Sequence, residues 1–117
     1  MIFTDNKPIY MQIAELFFTT ILQKKWVENE KIPSIRETAV ELEVNPNTAL
    51  RTYSYLQDLG IIYNKRGIGY FLADNGYNKT LSFVKEKFIE EELPLLFEKL
   101  DLLHMSIDDI RELKMKR

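Results

Sequence analysis

Two helix starts stand so close together in this chain of 117 residues that only a tight turn fits between the helices they open. The first is Ser34 with Glu37, the Ser-x-x-Glu capping box in which hydroxyl and carboxylate satisfy backbone N–H groups reciprocally. The second is Asn45 followed by Pro46, an N-cap side chain and a residue whose missing N–H is not needed in the first helical turn. The helix from Ser34 runs to about Leu42, and the helix from Asn45 ends at Gly60, which suits a C-terminal cap. A turn of three or four residues is all that remains between them.

The flanks complete the pattern. A first helix begins near Pro8, taken as the first helical position, and Ile9, Ile13, Leu16 and Phe17 recur at helical spacing. Phe18 and Leu22 widen the stripe, so more than one face packs against something. After Gly60 the period becomes extended. Ile61 to Tyr63 reads as a strand, Asn64 to Gly67 as a turn, and Tyr70 to Leu72 as the returning strand. The fold class is therefore mainly α with a small β-hairpin: a winged helix-turn-helix domain followed by a short C-terminal helical tail.

Asp74, Asn75, Gly76 and Asn78 mark the clearest break, which divides residues 1–75 from a helical tail at 76–117. In the tail Leu81, Val84 and Phe88 form one stripe and Leu96, Leu100 and Leu103 another, while Pro94 either kinks one helix or separates two. A last helix opens at Ser106, with Asp108 and Asp109 at its positive end and Arg111 and Lys114 toward its negative end.

Composition narrows the function. The chain has no cysteine, which removes disulfides and thiol chemistry, and its one histidine, His104, has no catalytic or metal-binding company. No Gly-rich phosphate loop is present, and Glu90-Glu91-Glu92 reads as a solvated helix face. An enzyme is the least favoured reading, and no cofactor or metal is expected. No apolar run reaches the roughly 18 residues of a membrane span, and Met1 to Lys7 lacks a signal pattern, which points to the cytoplasm. Tyr10, Phe17, Trp26 and Tyr53 are spaced as core aromatics rather than as a ligand pocket.

Sixteen Lys and Arg against eighteen Asp and Glu give net charge -2, the wrong sign for nonspecific attraction to phosphate. Binding to nucleic acid would have to come from local placement. Between Val44 and Ala73 the placement is favourable, because Arg51, Lys65 and Arg66 face only Asp58. Asn45, Asn47, Thr48 and Arg51 fall in the first two turns of the third helix, where polar and cationic side chains can reach base edges in a major groove. Ser34 and Arg36, with the amides of the second helix start, suit phosphate; Lys65 and Arg66 sit at the hairpin tip, which Gly67 and Gly69 leave unobstructed.

These residues resemble a known family. Pro33-Ser34-Ile35-Arg36, Val44-Asn45-Pro46-Asn47-Thr48, Leu56 to Ile61 and Arg66-Gly67-Ile68-Gly69-Tyr70-Phe71 are similar to the signature of the GntR winged-helix transcriptional regulators, and the opening Pro8-Ile9-Tyr10-x-Gln12-Ile13 agrees. The resemblance covers roughly residues 8 to 73. With so short a segment beyond the wing, the chain resembles the YtrA-type subfamily, which implies a bacterial regulator whose tail is a dimerisation element. The resemblance places Arg36, Asn47, Thr48, Arg51, Lys65, Arg66 and Gly67 at the DNA face. The chain departs from the pattern at Ala49 and Leu50, and these departures bear on the operator sequence more than on the fold.

A dimer is also expected physically, since one reading helix spans few base pairs and this chain has little positive charge to add. Phe83, Phe88, Leu96, Phe97, Leu100, Leu103, Ile107 and Ile110 are the candidate dimerisation residues. The reading is a homodimeric regulator, a repressor by occlusion, that binds double-stranded DNA at a near-palindromic operator, with any small-molecule effector unknown. The competitor is a winged helix used for protein–protein interaction, which the acidic balance suits. The polar and basic row Asn47, Thr48, Arg51 and Arg66 discriminates, because such a module has no special need of it.

Overall fold

A computed structural model describes residues 6–117. Residues 1–5, and with them most of the Met1–Lys7 stretch read as lacking a signal pattern, lie outside the described residues. The chain divides into two compact units, one ending at Ser82 and one running from Phe83 to Arg117. The turn expected to part them at residue 75 is present, but the first half of the next helix belongs to the first unit.

In the first unit, α1 spans Ile9–Leu22, α2 Ile35–Leu42 and α3 Pro46–Asp58, followed by strands β1, Ile62–Lys65, and β2, Gly69–Leu72. Pro8 caps α1 instead of opening it: its carbonyl accepts from the N–H groups of Met11 and Gln12. The buried face of α1 is Ile13, Ala14, Phe17, Phe18 and Ile21, while Ile9 and Leu16 of the expected stripe face solvent. The apolar band of this helix is wider than one face, so its rotation is fixed by what it meets, and α3 is the neighbour.

The turn between α2 and α3 rests on Glu43, held in the left-handed region at φ 55°, with the Val44 N–H bonded to the Ala39 carbonyl at 3.0 Å. Asn45 then caps α3 through its side-chain oxygen, which accepts from the Asn47 N–H at 2.8 Å. Ala49, Thr52, Tyr53 and Leu56 turn inward. Gly60, at φ 75°, closes the helix and releases the chain into β1.

Tyr53 is the centre of this core. It is wholly buried, its ring meets Phe17 and Tyr70 edge-on at 5.5 and 4.9 Å, and Phe17 meets Trp26 at 4.9 Å. Its hydroxyl donates to the Pro33 carbonyl and is paired with the Thr38 hydroxyl at 2.8 Å, which ties α3 to α2. Burial pushes its pKa up to about 12, so it stays a neutral donor. These aromatics form a packed core, in line with their spacing.

β1 and β2 pair antiparallel, from Ile62 opposite Leu72 to Lys65 opposite Gly69. The strands reach further than the sequence suggests, so Lys65 sits in the ladder and the turn narrows to Arg66, Gly67 and Ile68. A third extended piece, unforeseen, lies along β2. Ile32 N–H bonds the Tyr70 carbonyl at 2.9 Å, Asn29 N–H the Leu72 carbonyl at 2.8 Å, and Lys31 pairs with Phe71. The hairpin is thereby held on its second edge. Helix α4, Gly76–Lys87, begins where Gly76 approaches the core so closely that a Cβ there would lie 2.7 Å from Leu72 Cδ1 and 3.1 Å from the Ile61 carbonyl.

Beyond α4 the backbone makes a π-helical turn, Phe88–Glu92, before α5, Leu93–Leu102, and α6, Ile107–Met115. Pro94 sits in the first turn of α5, where its lack of an N–H is tolerated, and the wider turn before it carries a Leu93 N–H to Phe88 carbonyl bond. Helical structure is continuous from Gly76 to Leu102, so Pro94 does not separate two helices. His104, at φ 55°, makes the bend to α6, and Ser106 opens α6 with a second reciprocal capping box, to Asp109.

Candidate nucleic-acid interface

The inward face of α3 is apolar or internally bonded, so the opposite arc is left to polar side chains. Asn47, Arg51 and Ser54, spaced at i, i+4 and i+7, share that arc and are exposed; Thr48 is half-buried at its flank. Thr52 locks the helix from behind, its hydroxyl donating to the Tyr10 carbonyl at 2.8 Å. On the solvent side the Arg51 guanidinium lies 4.2 Å from the centre of the Tyr10 ring. Tyr10 therefore carries three contacts to α3, one through its backbone and two through its ring, which also meets Tyr55 edge-on at 6.0 Å. Sequence reasoning missed that role, because nothing local to Tyr10 announces a partner 41 positions away.

Arg36 is exposed in the first turn of α2, and among the described residues it has no ion-pair partner. Ser34 is less available than expected. Its hydroxyl accepts from the Glu37 N–H at 3.1 Å and its own N–H donates to the Glu37 carboxylate at 2.9 Å. These bonds from Ser34 hold the Glu37 carboxyl below the usual carboxylate range, so a negative charge occupies the helix start that was assigned to phosphate. Asn45 is likewise engaged: its side-chain oxygen is used in capping α3. Both residues cap helices at this surface, Ser34 half-buried and Asn45 exposed.

At the hairpin, Lys65, Arg66 and Gly67 are all exposed. The Lys65 ammonium lies 4.8 Å from the Phe71 ring centre, which keeps it on the strand face, and Gly67, at φ 78°, makes the tip that carries Arg66. Lys31 joins them. Its side chain crosses Gly69 so closely that a Cβ there would lie 2.8 Å from Lys31 Cε, which makes it a third cation on the wing. No cue in the sequence pointed to Lys31, since the extended segment bearing it pairs with residues some 40 positions on. Among the described residues no hydrogen bond or ion pair joins Arg36, Arg51 and Arg66 to one another.

In the second unit the candidate dimerisation residues separate into three groups. Phe88, Leu96, Phe97, Leu103 and Ile107 are exposed, Phe83 and Ile110 are half-buried, and Leu100 is 5% exposed. Leu100 is thus packed within a single chain. No group of three or more metal-ligating side chains occurs among the described residues, and no helix there is long and apolar enough to cross a membrane.

No model of a protein family matches the chain. Individual proteins do. It is 36% identical over 110 residues to the HTH-type transcriptional regulator YhcF of Bacillus subtilis, covering 94% of this chain and 89% of that one. To the HTH-type transcriptional repressor YtrA of the same organism it is 35% identical over 92 residues, covering 79% and 70%. Among solved structures, a GntR family regulator from Listeria monocytogenes superposes with TM-score 0.79 at 30% identity over 98% of this chain and 99% of that one. A regulator described as of the GntR family, from Bacteroides thetaiotaomicron, does so with TM-score 0.74 at 42% identity over 92% and 94%. The AraR DNA-binding domain, solved in complex with operator ORX1, matches 62% of this chain and 93% of its own with TM-score 0.58 at 27% identity. Similarity at this level, sustained across both compact units, is shared descent and not a shared fold alone, and it makes the chain a member of the GntR family of winged-helix transcriptional regulators.

Proposed function

We propose that this regulator is a cytoplasmic repressor that binds a near-palindromic operator as a homodimer. The observation that carries the reading is the outward arc of α3: Asn47 and Arg51 exposed on a helix whose other face is fixed by Tyr53, Leu56 and the Thr52 bond to Tyr10. A rigid helix with polar tips in its first turns is what base reading in a major groove requires. Arg36 on one side and Lys31, Lys65 and Arg66 on the other supply cations for phosphate, and the net charge of -2 makes sequence-dependent contacts a larger share of the affinity. The similarity to a protein named as a repressor and to an operator-bound domain supports both the direction and the target.

Dimerisation is supported by the second unit. Its exposed Phe88, Leu95, Leu96, Phe97, Leu102 and Leu103 are more apolar side chain than so small a unit leaves in water without a use. A second copy presenting the same surface covers it symmetrically and sets two α3 helices about 34–36 Å apart, one turn of DNA. Selection of bound fragments from random duplex DNA tests both parts. Recovery of an inverted repeat with half-sites about one helical turn apart is the expected result. Enrichment of a single unrepeated motif would remove the dimer, and no enrichment at all would leave the protein-interaction reading in its place.

A further inference from the structure

Leu50 is 45% exposed on α3, whereas the other leucine of that helix, Leu56, is fully buried. One leucine in water is ordinary on any surface. Its place is not. It stands three residues after Asn47, directly before Arg51 and four residues before Ser54, so it borders the polar arc on the stretch of helix that enters a groove. The only apolar group that base edges offer in the major groove is the C5 methyl of thymine, and side chains that meet it are apolar. A half-exposed leucine among hydrogen-bonding neighbours would leave any other base edge facing it without a partner, which disfavours that base.

Resting on the DNA-reading role proposed above, we infer that Leu50 is a specificity-determining residue that takes a thymine C5 methyl within each half-site. Leu50→Ala keeps a good helix former at a half-exposed position, so the fold survives the change. The test uses duplexes of the selected site in which each thymine in turn is replaced by deoxyuridine, which pairs identically but lacks the methyl. One replacement per half-site is expected to weaken the unaltered protein by roughly fourfold, the size of one buried methyl group. Leu50→Ala is expected to bind the parent site more weakly and to be indifferent to that same replacement.

A second measurement repeats the selection with Leu50→Gln, whose amide pairs with adenine, and the preferred base at that position is expected to move from thymine toward adenine. Indifference of the unaltered protein to every deoxyuridine, an equal loss in Leu50→Ala, or retention of thymine by Leu50→Gln each overturns the assignment. A site enriched without a methyl effect removes Leu50 alone as a reader. Failure to enrich any site removes the DNA-reading role and this inference with it.

Discussion

Between Ile13 and Leu72 the first unit closes over a core in which Ile13, Ile21, Tyr53, Leu56, Ile61 and Leu72 are fully covered, although Leu16, Val27, Val40, Leu50 and Ile68 remain exposed around it. From Phe83 to Arg117, by contrast, Leu95, Phe97, Leu102, Leu103 and Ile107 stand in water, and Leu100 is the one buried leucine. The two stretches do not differ in helical periodicity. They differ in how much of their apolar surface the chain itself covers. Three helices and a hairpin enclose Tyr53 from every direction, while a unit below roughly 40 residues rarely encloses a core of its own. A closed first unit beside an open second one is what the proposed homodimer requires, a reading helix rigid before pairing and an apolar surface left for a second copy.

The contrast breaks most visibly at Leu56. Replacing it with alanine empties space in a core that has no other way to fill it, and an expected loss of about 2–5 kcal/mol would show in urea or thermal unfolding of the first unit. A loss under about 1 kcal/mol would mean that this core yields and is not closed. The next effect belongs to the second unit. Glutamate in place of Phe97 and Leu103 is expected to weaken self-association by about 2–4 kcal/mol without shifting the unfolding of the first unit. Sedimentation at several concentrations reads that directly, and an unchanged dimer would place the pairing surface elsewhere.

Within the first unit, Arg51→Ala is expected to weaken the selected site by about 1–3 kcal/mol while barely changing binding to unrelated DNA. Because the Arg51 guanidinium lies over the Tyr10 ring, Tyr10→Leu is expected to lose part of the same energy, and the two changes together less than their sum. Strict additivity would show that the ring does not position the cation. At the wing, alanine at Lys65 and Arg66 is expected to lower the slope of log affinity against log salt by about one for each phosphate that the wing no longer neutralises. A constant slope takes the wing out of the interface.

How much of this was legible in the sequence depended on how local each cause was. Helix starts were readable because a capping box or an Asn-Pro pair acts within four residues, and the hairpin was readable from its own strands and tip. Asn47 and Arg51 followed once α3 was placed. What escaped notice was settled by distant partners. The edge segment 29–32 pairs with β2, the rotation of α1 is set where it meets α3, and Tyr10 gains its role through Thr52, Arg51 and Tyr55. Ser34 and Asn45 show the reverse. Their capping chemistry is legible locally, but the sequence does not show that the Ser34 hydroxyl and the Asn45 side-chain oxygen each already accept a bond from their own helix. Leu100, one of the candidate dimerisation residues, is buried within its own chain while its helical neighbours are exposed, a boundary that periodicity alone does not draw.

The smallest expected effect uses a feature that the two units share. Each turns a corner on a non-glycine residue in the left-handed region, Glu43 between α2 and α3 and His104 between α5 and α6, both at φ 55°. A side chain there costs about 1–2 kcal/mol, and glycine removes that strain but loses more chain entropy on folding, so each replacement by glycine is expected to stabilise by about 0.5–1 kcal/mol. The gains should appear differently. Glu43→Gly acts on a unit whose core its own chain closes, so its rise in melting temperature is expected to be the same at every protein concentration. If the second unit completes its core only against another copy, folding and pairing there are one equilibrium, and the gain from His104→Gly emerges as tighter self-association. A concentration-independent rise for both variants would show that the second unit, for all its exposed leucines, is finished by its own chain.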